Sequence, residues 1–324
     1  VLEHTAGLWA ELRGERVLLT GGTGFFGCWL VESFLHANRT LGLGARLAVL
    51  SRRPRAFAER APHLCADAAL ELLEGDVRTF AWPPSQFACV IHAATDTVSA
   101  EKDQYSTIVE GTRRVLQFAR SAGVGRLLLA SSGAVYGPQP VAVSHVEEEQ
   151  PFAPSESPYV LGKRAAEALC RESGLQCTIA RGFAFLGPHL PLDAHFAAGN
   201  FVRDALAGRE IAIGGDGTPL RSYLYAADLA IWLWTILLKG QPGRAYNVGS
   251  EESVSIAELA RRVAAGAGDR CAVSVAQRPA WPPMPAARYV PSTRRAQAEL
   301  GLATWIGLDA AIERTLAWHR SEAG

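Results

Sequence analysis

The chain lacks an excess of either charge: Lys plus Arg and Asp plus Glu each come to 32 in 324 residues. A formal net charge of zero excludes recruitment of nucleic acid or an anionic membrane by a global field, so an anionic ligand requires a local site. Paired cysteines are missing as well. Cys28, Cys65, Cys89, Cys170, Cys177 and Cys271 form no Cys-x-x-Cys motif and no metal-ligand spacing, and several fall within apolar runs. A cytoplasmic chain with reduced thiols and no bound metal is the expectation. Long hydrophobic runs are absent too: the strongest, Leu229 to Leu238, is about half of the roughly 20 residues a bilayer span requires and reads as a buried helix. Val1 to Leu12 carries charges and has no long apolar segment of the kind a secretory leader shows. No internal repeat or low-complexity tract stands out.

What is present is an alternation. Apolar runs at Arg16 to Thr20, Arg46 to Leu50, Leu70 to Glu74, Phe87 to Ala93, Arg126 to Ser131 and Leu175 to Arg181 read as strands. Phe26 to Ala37, Ser106 to Ala122 and Pro158 to Glu172 read as helices between them, the last with Ser157 as N-cap and Pro158 as first helical residue. This rhythm predicts an α/β fold: a Rossmann-like doubly wound parallel sheet over residues 1–181. After Arg181 shorter elements are separated by Gly- and Pro-rich loops, Gly187-Pro188, Gly214 to Pro219 and Pro279 to Pro285. Residues 182–324 are therefore assigned mainly to a smaller C-terminal substrate-binding lobe, with some interleaving of the chain between the two.

The first strand runs into Thr20-Gly21-Gly22-Thr23-Gly24-Phe25-Phe26-Gly27. A glycine-rich strand-to-helix turn lets backbone approach a pyrophosphate, whose charge then faces the amide-rich end of the helix. The candidate cofactor contacts here are Gly21, Thr23, Gly24, Phe25, Phe26 and Gly27. An acidic residue after the second strand would hold the ribose of NAD, whereas arginine accommodates the extra phosphate of NADP. No Asp or Glu occurs between Glu32 and Glu59, and the strand runs into Ser51-Arg52-Arg53. NADPH is the preferred cofactor, with NAD the alternative; a solvated arginine turn is the competing reading. After the third strand Asp76 and Val77 can meet the adenine amino group and face, unless Asp76 caps its loop. His92-Ala93-Ala94 ends the fourth strand; Ala93 and Ala94 suit backbone pressed on a cofactor, and His92 reads as a packed core histidine.

Tyr159 and Lys163 lie one helical turn apart on one face. A phenol titrates near pH 10, and an adjacent ammonium favours its anion, turning Tyr159 into a usable acid or base that Lys163 tunes while gripping the cofactor ribose. The segment Ala130-Ser131-Ser132-Gly133-Ala134-Val135-Tyr136-Gly137 follows a strand. Ser132 is the hydroxyl expected to hold a substrate oxygen, and Ser131 is expected to be structural.

Together TGGTGFFG, HAAT, SSGAVYG, YVLGK, RGFAFLGP from Arg181, GDGTPLRSYLYAADLA from Gly215 and Tyr246-Asn247-Val248-Gly249 resemble the extended short-chain dehydrogenase/reductase family, its nucleotide-sugar epimerases, dehydratases and ketoreductases. The resemblance spans nearly the whole chain. It implies Ser132, Tyr159 and Lys163 as catalytic triad, a nucleotide-sugar substrate with Asn200, Arg221 and Arg288 at its pyrophosphate, and a homodimer paired through the helices near Ser106 to Ala122 and Pro158 to Glu172. Tyr223 and Tyr225 read equally as core or ligand contacts, and Asp228 as a cap for the helix that follows it.

Departures narrow the expectation. The 4,6-dehydratases of that family carry an acidic pair after the triad hydroxyl and the decarboxylases a glutamate, where this chain has Gly133 and Ala134. Two usual asparagines are Ile108 and Ala184. The reading that follows is NADPH-dependent reduction of the C4 ketone of a nucleotide-linked 4-keto-6-deoxyhexose, dTDP-linked, in deoxysugar biosynthesis. Its alternatives are an NAD-dependent nucleotide-sugar 4-epimerase and a dinucleotide-binding regulator that has lost its chemistry.

Overall fold

A computed structural model describes residues 1–95, 101–193, 196–268, 271–278 and 285–322, with the side chains of residues 101–103 outside the description. Most of the expected loop Pro279 to Pro285 lies outside the described residues. Strands β1 (Arg16–Thr20), β2 (Arg46–Ser51), β3 (Leu70–Glu74), β4 (Cys89–His92), β5 (Arg126–Ser132) and β6 (Cys177–Gly182) are joined by Ala245–Val248 into one seven-stranded sheet. Every pairing in it is parallel. The spatial order runs from Ala245–Val248 through β6, β5, β4, β1, β2 to β3.

A parallel sheet is covered on both faces, and its strands are correspondingly apolar along their length. Alternation sorts the side chains to two cores. Val17, Leu19, Leu47, Val49 and Ile91 enter one cluster, under the helices Phe25–Leu41 and Ala226–Lys239. Leu18, Ala48, Leu50, Val90 and Leu129 enter the other, under the helices Glu101–Ser121 and Pro158–Glu172. The order reverses between β1 and β4, which opens a crevice at their C-terminal ends.

The expected buried helix is Ala226–Lys239, covered nearly all round by the sheet, the N-terminal segment and the C-terminal loop. Its Trp234 indole donates to Ser33 Oγ at 2.9 Å, fastening it to Phe25–Leu41. Two capping expectations fail here. Asp228 does not cap this helix: its Oδ2 accepts the backbone N–H groups of Trp305 and Ile306, both at 3.0 Å. Ser157 precedes its helix as expected, but its side chain makes no capping bond. Among the described residues no helix is long and apolar enough to cross a membrane.

Beyond the main sheet a further core packs Phe201, Val202, Leu259 and Ile312 with Tyr223 and Tyr225, so those tyrosines are core residues. The smaller sheets include Leu220–Arg221, flanked by Val254–Ser255 and Arg288–Tyr289.

Candidate active site

The glycine turn is dictated by close packing. Gly21 has φ +77°, and a Cβ there would stand 2.6 Å from the backbone of Ala93 and Ala94. A Cβ on Gly27 would lie 2.3 Å from Gly21 O and the Gly22 backbone, so the helix Phe25–Leu41 starts tight against β1. Gly24 differs: a Cβ there would meet only Gly21 O, at 3.6 Å. No side chain caps this helix, so its first-turn amides, at the positive end of the helix, are the groups a pyrophosphate would require. Ala93 and Ala94 are held beside the turn through N–H bonds to Thr20, at 3.1 Å to the carbonyl and 3.2 Å to Oγ1.

Ser51 is buried at the end of β2 and its Oγ accepts the Arg53 N–H at 3.1 Å, while Arg52 and Arg53 are exposed. Asp76 follows the loop-capping alternative. Arg78 engages both its oxygens, at 2.8 and 2.9 Å, which holds its carboxyl below the ordinary value. Both Asp76 oxygens therefore have a local partner two residues on. Val77 packs toward Gly111, where a Cβ would meet its Cγ1 at 2.9 Å.

His92 is a core histidine. Thr20 Oγ1, which accepts from Ala94 N–H, lies 2.8 Å from Nδ1. Thr112 gives its own proton to Ile108 O at 2.7 Å and lies 3.1 Å from Nε2. The network therefore selects the neutral tautomer with the proton on Nε2. Burial, helped by the Lys163 charge, pushes the His92 pKa down to about 3.

The hydroxyl groups converge at the end of β5. Ser132 is buried, and its Oγ accepts the Ala134 N–H at 3.1 Å, capping the short helical turn Gly133–Tyr136. Burial raises the pKa of the Tyr159 phenol, and a hydrogen bond with Ser132 opposes the rise. Lys163 is buried one turn on, with Nζ donating to Thr95 Oγ1 at 2.6 Å and to Ala130 O at 2.8 Å. Its Nζ lies 5.9 Å from the Tyr159 ring centroid. The expected tuning of Tyr159 by Lys163 is thus not what sets the phenol here. Lys163 faces Thr95 and a carbonyl, and burial dominates Tyr159. Ser131 turns away from the site and donates to Glu167 at 2.7 Å.

In the three-stranded sheet, parallel pairing puts Arg288 opposite Leu220 and Tyr289 opposite Arg221. Arg221, Arg288 and Tyr289 line a cleft of about 440 Å³ together with Gly137 and Gln139. Asn200 is not in this lining. It sits in the first turn of the helix Ala197–Leu206, where its Oδ1 accepts from Arg203 at 3.3 Å.

Residues 17–249 match the family model described as "NAD dependent epimerase/dehydratase family". The chain belongs to that family. Among members, UDP-glucuronic acid decarboxylase 1 of Xenopus tropicalis is 26% identical over 97% of this chain and 74% of its own length. A dTDP-glucose 4,6-dehydratase of Streptomyces niveus is 25% identical over 94% and 93%. The crystal structure of a double mutant of the Streptomyces venezuelae dTDP-glucose 4,6-dehydratase, with NAD bound, superposes with a TM-score of 0.80 at 25% identity, covering 95% of this chain and 98% of that one.

Within this epimerase/dehydratase frame, two aromatic residues complete a site that motif reading did not include. The Phe183 ring occupies the space beside Gly133, where a Cβ would lie 2.7 Å from it, and packs against Tyr289 with centroids 4.6 Å apart and the ring planes tilted by 36°. Burial raises the Tyr289 phenol, while a hydrogen bond with Ser132 opposes this. Tyr289 reaches Ser132 from a two-residue strand more than 150 positions later in the chain, and only a neighbouring Arg288 hinted at it.

Proposed function

We propose that the protein is an NADPH-dependent ketoreductase that reduces the C4 ketone of a nucleotide-activated 4-keto-6-deoxyhexose, dTDP-linked. The surroundings of Ser132 carry this reading. Its hydroxyl and the Tyr159 phenol meet without a carboxylate at the adjoining positions, Gly133 and Ala134, and the Phe183 ring fills the space a side chain at 133 would need. Eliminating a sugar hydroxyl calls for an acid–base group at a second carbon. Reducing a ketone calls for one proton donor and one hydride source.

When bound, the dinucleotide supplies hydride from its nicotinamide C4. Tyr159 gives its proton to the ketone oxygen as that oxygen gains charge; burial keeps the phenol protonated at neutral pH, ready to donate. Ser132, its Oγ already fixed by the Ala134 N–H, holds the same oxygen. Lys163 presents its ammonium to the cofactor ribose. Arg221 and Arg288 flank the cleft in which a sugar-nucleotide diphosphate fits, since guanidinium forks match phosphate oxygens, and Asn200 is the third proposed contact. The acid-free end of β2, with Ser51, Arg52 and Arg53, supports NADPH over NADH. Tyr105 and Leu161, exposed apolar residues on the helices Glu101–Ser121 and Pro158–Glu172, support a homodimer through these helices.

An NAD-dependent 4-epimerase is the second reading, favoured by the NAD bound in the Streptomyces venezuelae relative. The purified protein is to be mixed with NADPH and dTDP-4-keto-6-deoxyglucose or its C3 epimer, following absorbance and product NMR. Stoichiometric oxidation with a new C4 hydroxyl is expected, and Tyr159→Phe should slow it by about 10² to 10⁴. Interconversion of nucleotide sugars without NADPH oxidation, with NAD retained through purification, would replace the ketoreductase by the epimerase.

A further inference from the structure

Glu167 is fully buried on the helix that carries Tyr159 and Lys163, and no step above uses it. A buried carboxylate is costly unless its charge and lone pairs are met. Arg181 meets both oxygens, Nε to Oε1 at 2.9 Å and Nη2 to Oε2 at 2.7 Å. Arg171 reaches Oε2 at 2.9 Å, and the Ser131 hydroxyl donates to Oε1 at 2.7 Å. Burial raises the Glu167 pKa, but the bonds and charge of Arg181, with the Ser131 bond, outweigh it and leave the carboxyl below its ordinary value.

The Ser131 and Arg181 contacts lead to reacting groups. Ser131 adjoins Ser132. Arg181 Nη1 also binds the Tyr136 hydroxyl at 2.8 Å, and Tyr136 closes the helical turn that Ser132 caps. Lys163 stands one turn before Glu167, on the same helix face.

We propose that Glu167 is a positioning residue of the proton-transfer site: its negative charge keeps the buried Lys163 protonated, and its bond to Ser131 fixes Ser132 against Tyr159. The inference deepens the proposed function and rests on its assignment of Tyr159, Ser132 and Lys163. Burial lowers the Lys163 pKa to about 8, and Glu167 is the leading charge opposing that fall, with Cys170 behind it. The other groups facing this pair are His92 from β4, held neutral, Tyr159 and Arg164 on the same helix, and Arg171 and Arg181 on the far side of the carboxylate.

Lys163 is one of only three lysines, with Lys102 and Lys239, so protein labelled with ¹³Cε-lysine gives a spectrum that Lys102→Arg and Lys239→Arg assign. The Lys163 signal should titrate below the ordinary lysine value, near pH 8. Glu167→Gln should move its midpoint to lower pH and reduce kcat on the order of 10², whereas Glu167→Asp should leave the midpoint near that of the parent. Ser131→Ala should lower kcat without moving the midpoint. Because Glu167→Gln leaves Arg181 buried without its counter-charge, the double variant Glu167→Gln/Arg181→Met provides a compensated fold, in which the fall is expected to be smaller because the Arg181 charge goes as well. An unchanged Lys163 midpoint in Glu167→Gln, or in the double variant where only that one folds, would overturn the electrostatic half, and a Ser131→Ala enzyme with parental kcat would overturn the other. The titration requires no substrate, so it stands or falls independently of which ketone, if any, is reduced.

Discussion

At the scale of single residues, the sequence was legible wherever backbone geometry leaves one choice. Gly21 and Gly27 of the first turn could be read because no other residue tolerates the approach: Gly27 sits with its Cβ position 2.3 Å from Gly21 O. Gly27→Ala must push the helix away from β1, and is expected to cost about 1–3 kcal/mol and to abolish tight dinucleotide binding; thermal melts and cofactor titration check both. His92 was legible as core because it falls within an apolar strand, although its two threonine partners come from separate elements. Side chains whose partners are themselves charged were less legible. Asp76 is held by an arginine two positions on, and Asn200 by one three positions on, local pairings that spacing alone does not rank above a ligand.

At the scale of elements, strands with continuous apolar runs were placed well, and their ends moved by a residue or two. The expected Phe87 to Ala93 strand is Cys89–His92, since ladder partners on β1 run only from Val17 to Thr20. The helix read as Phe26 to Ala37 falls short mainly at its C-terminal end, since it runs Phe25–Leu41 and ends at a left-handed Gly42. Three two-residue strands around Arg221 and Tyr289 left no period to detect, and for that reason Tyr289 escaped notice. Tertiary anchors are equally invisible in local pattern. The Trp234 to Ser33 bond joins helices about 200 positions apart. Trp234→Phe keeps an aromatic ring and deletes the N–H, leaving a tie of about 0.5–1.5 kcal/mol unmade; denaturant midpoints with an unchanged slope would register that loss.

At the scale of the whole molecule, the balanced charge makes the local arrangement of buried groups the source of pH dependence. His92 and Lys163 are among those that bind fewer protons in the folded chain than in the unfolded one. His92 is lowered from 6.5 to about 3, so its contribution to stability is complete above pH 6.5 and is lost progressively as pH falls toward 3. Lys163 is lowered from 10.5 to about 8. Below pH 8 both states carry its proton and the cost of burying that charge is constant; between pH 8 and 10.5 the folded chain sheds the proton first, and stability attributable to Lys163 rises with pH. Each unit of difference is worth about 1.4 kcal/mol. Denaturant unfolding of the cofactor-free protein across pH should therefore show His92→Asn with a shallower acid decline than the parent, and Lys163→Met without the parent's relative gain above pH 8. Parallel acid curves for His92→Asn and the parent would mean that the imidazole is already charged in the fold, which its bonds to Thr20 and Thr112 are arranged to prevent.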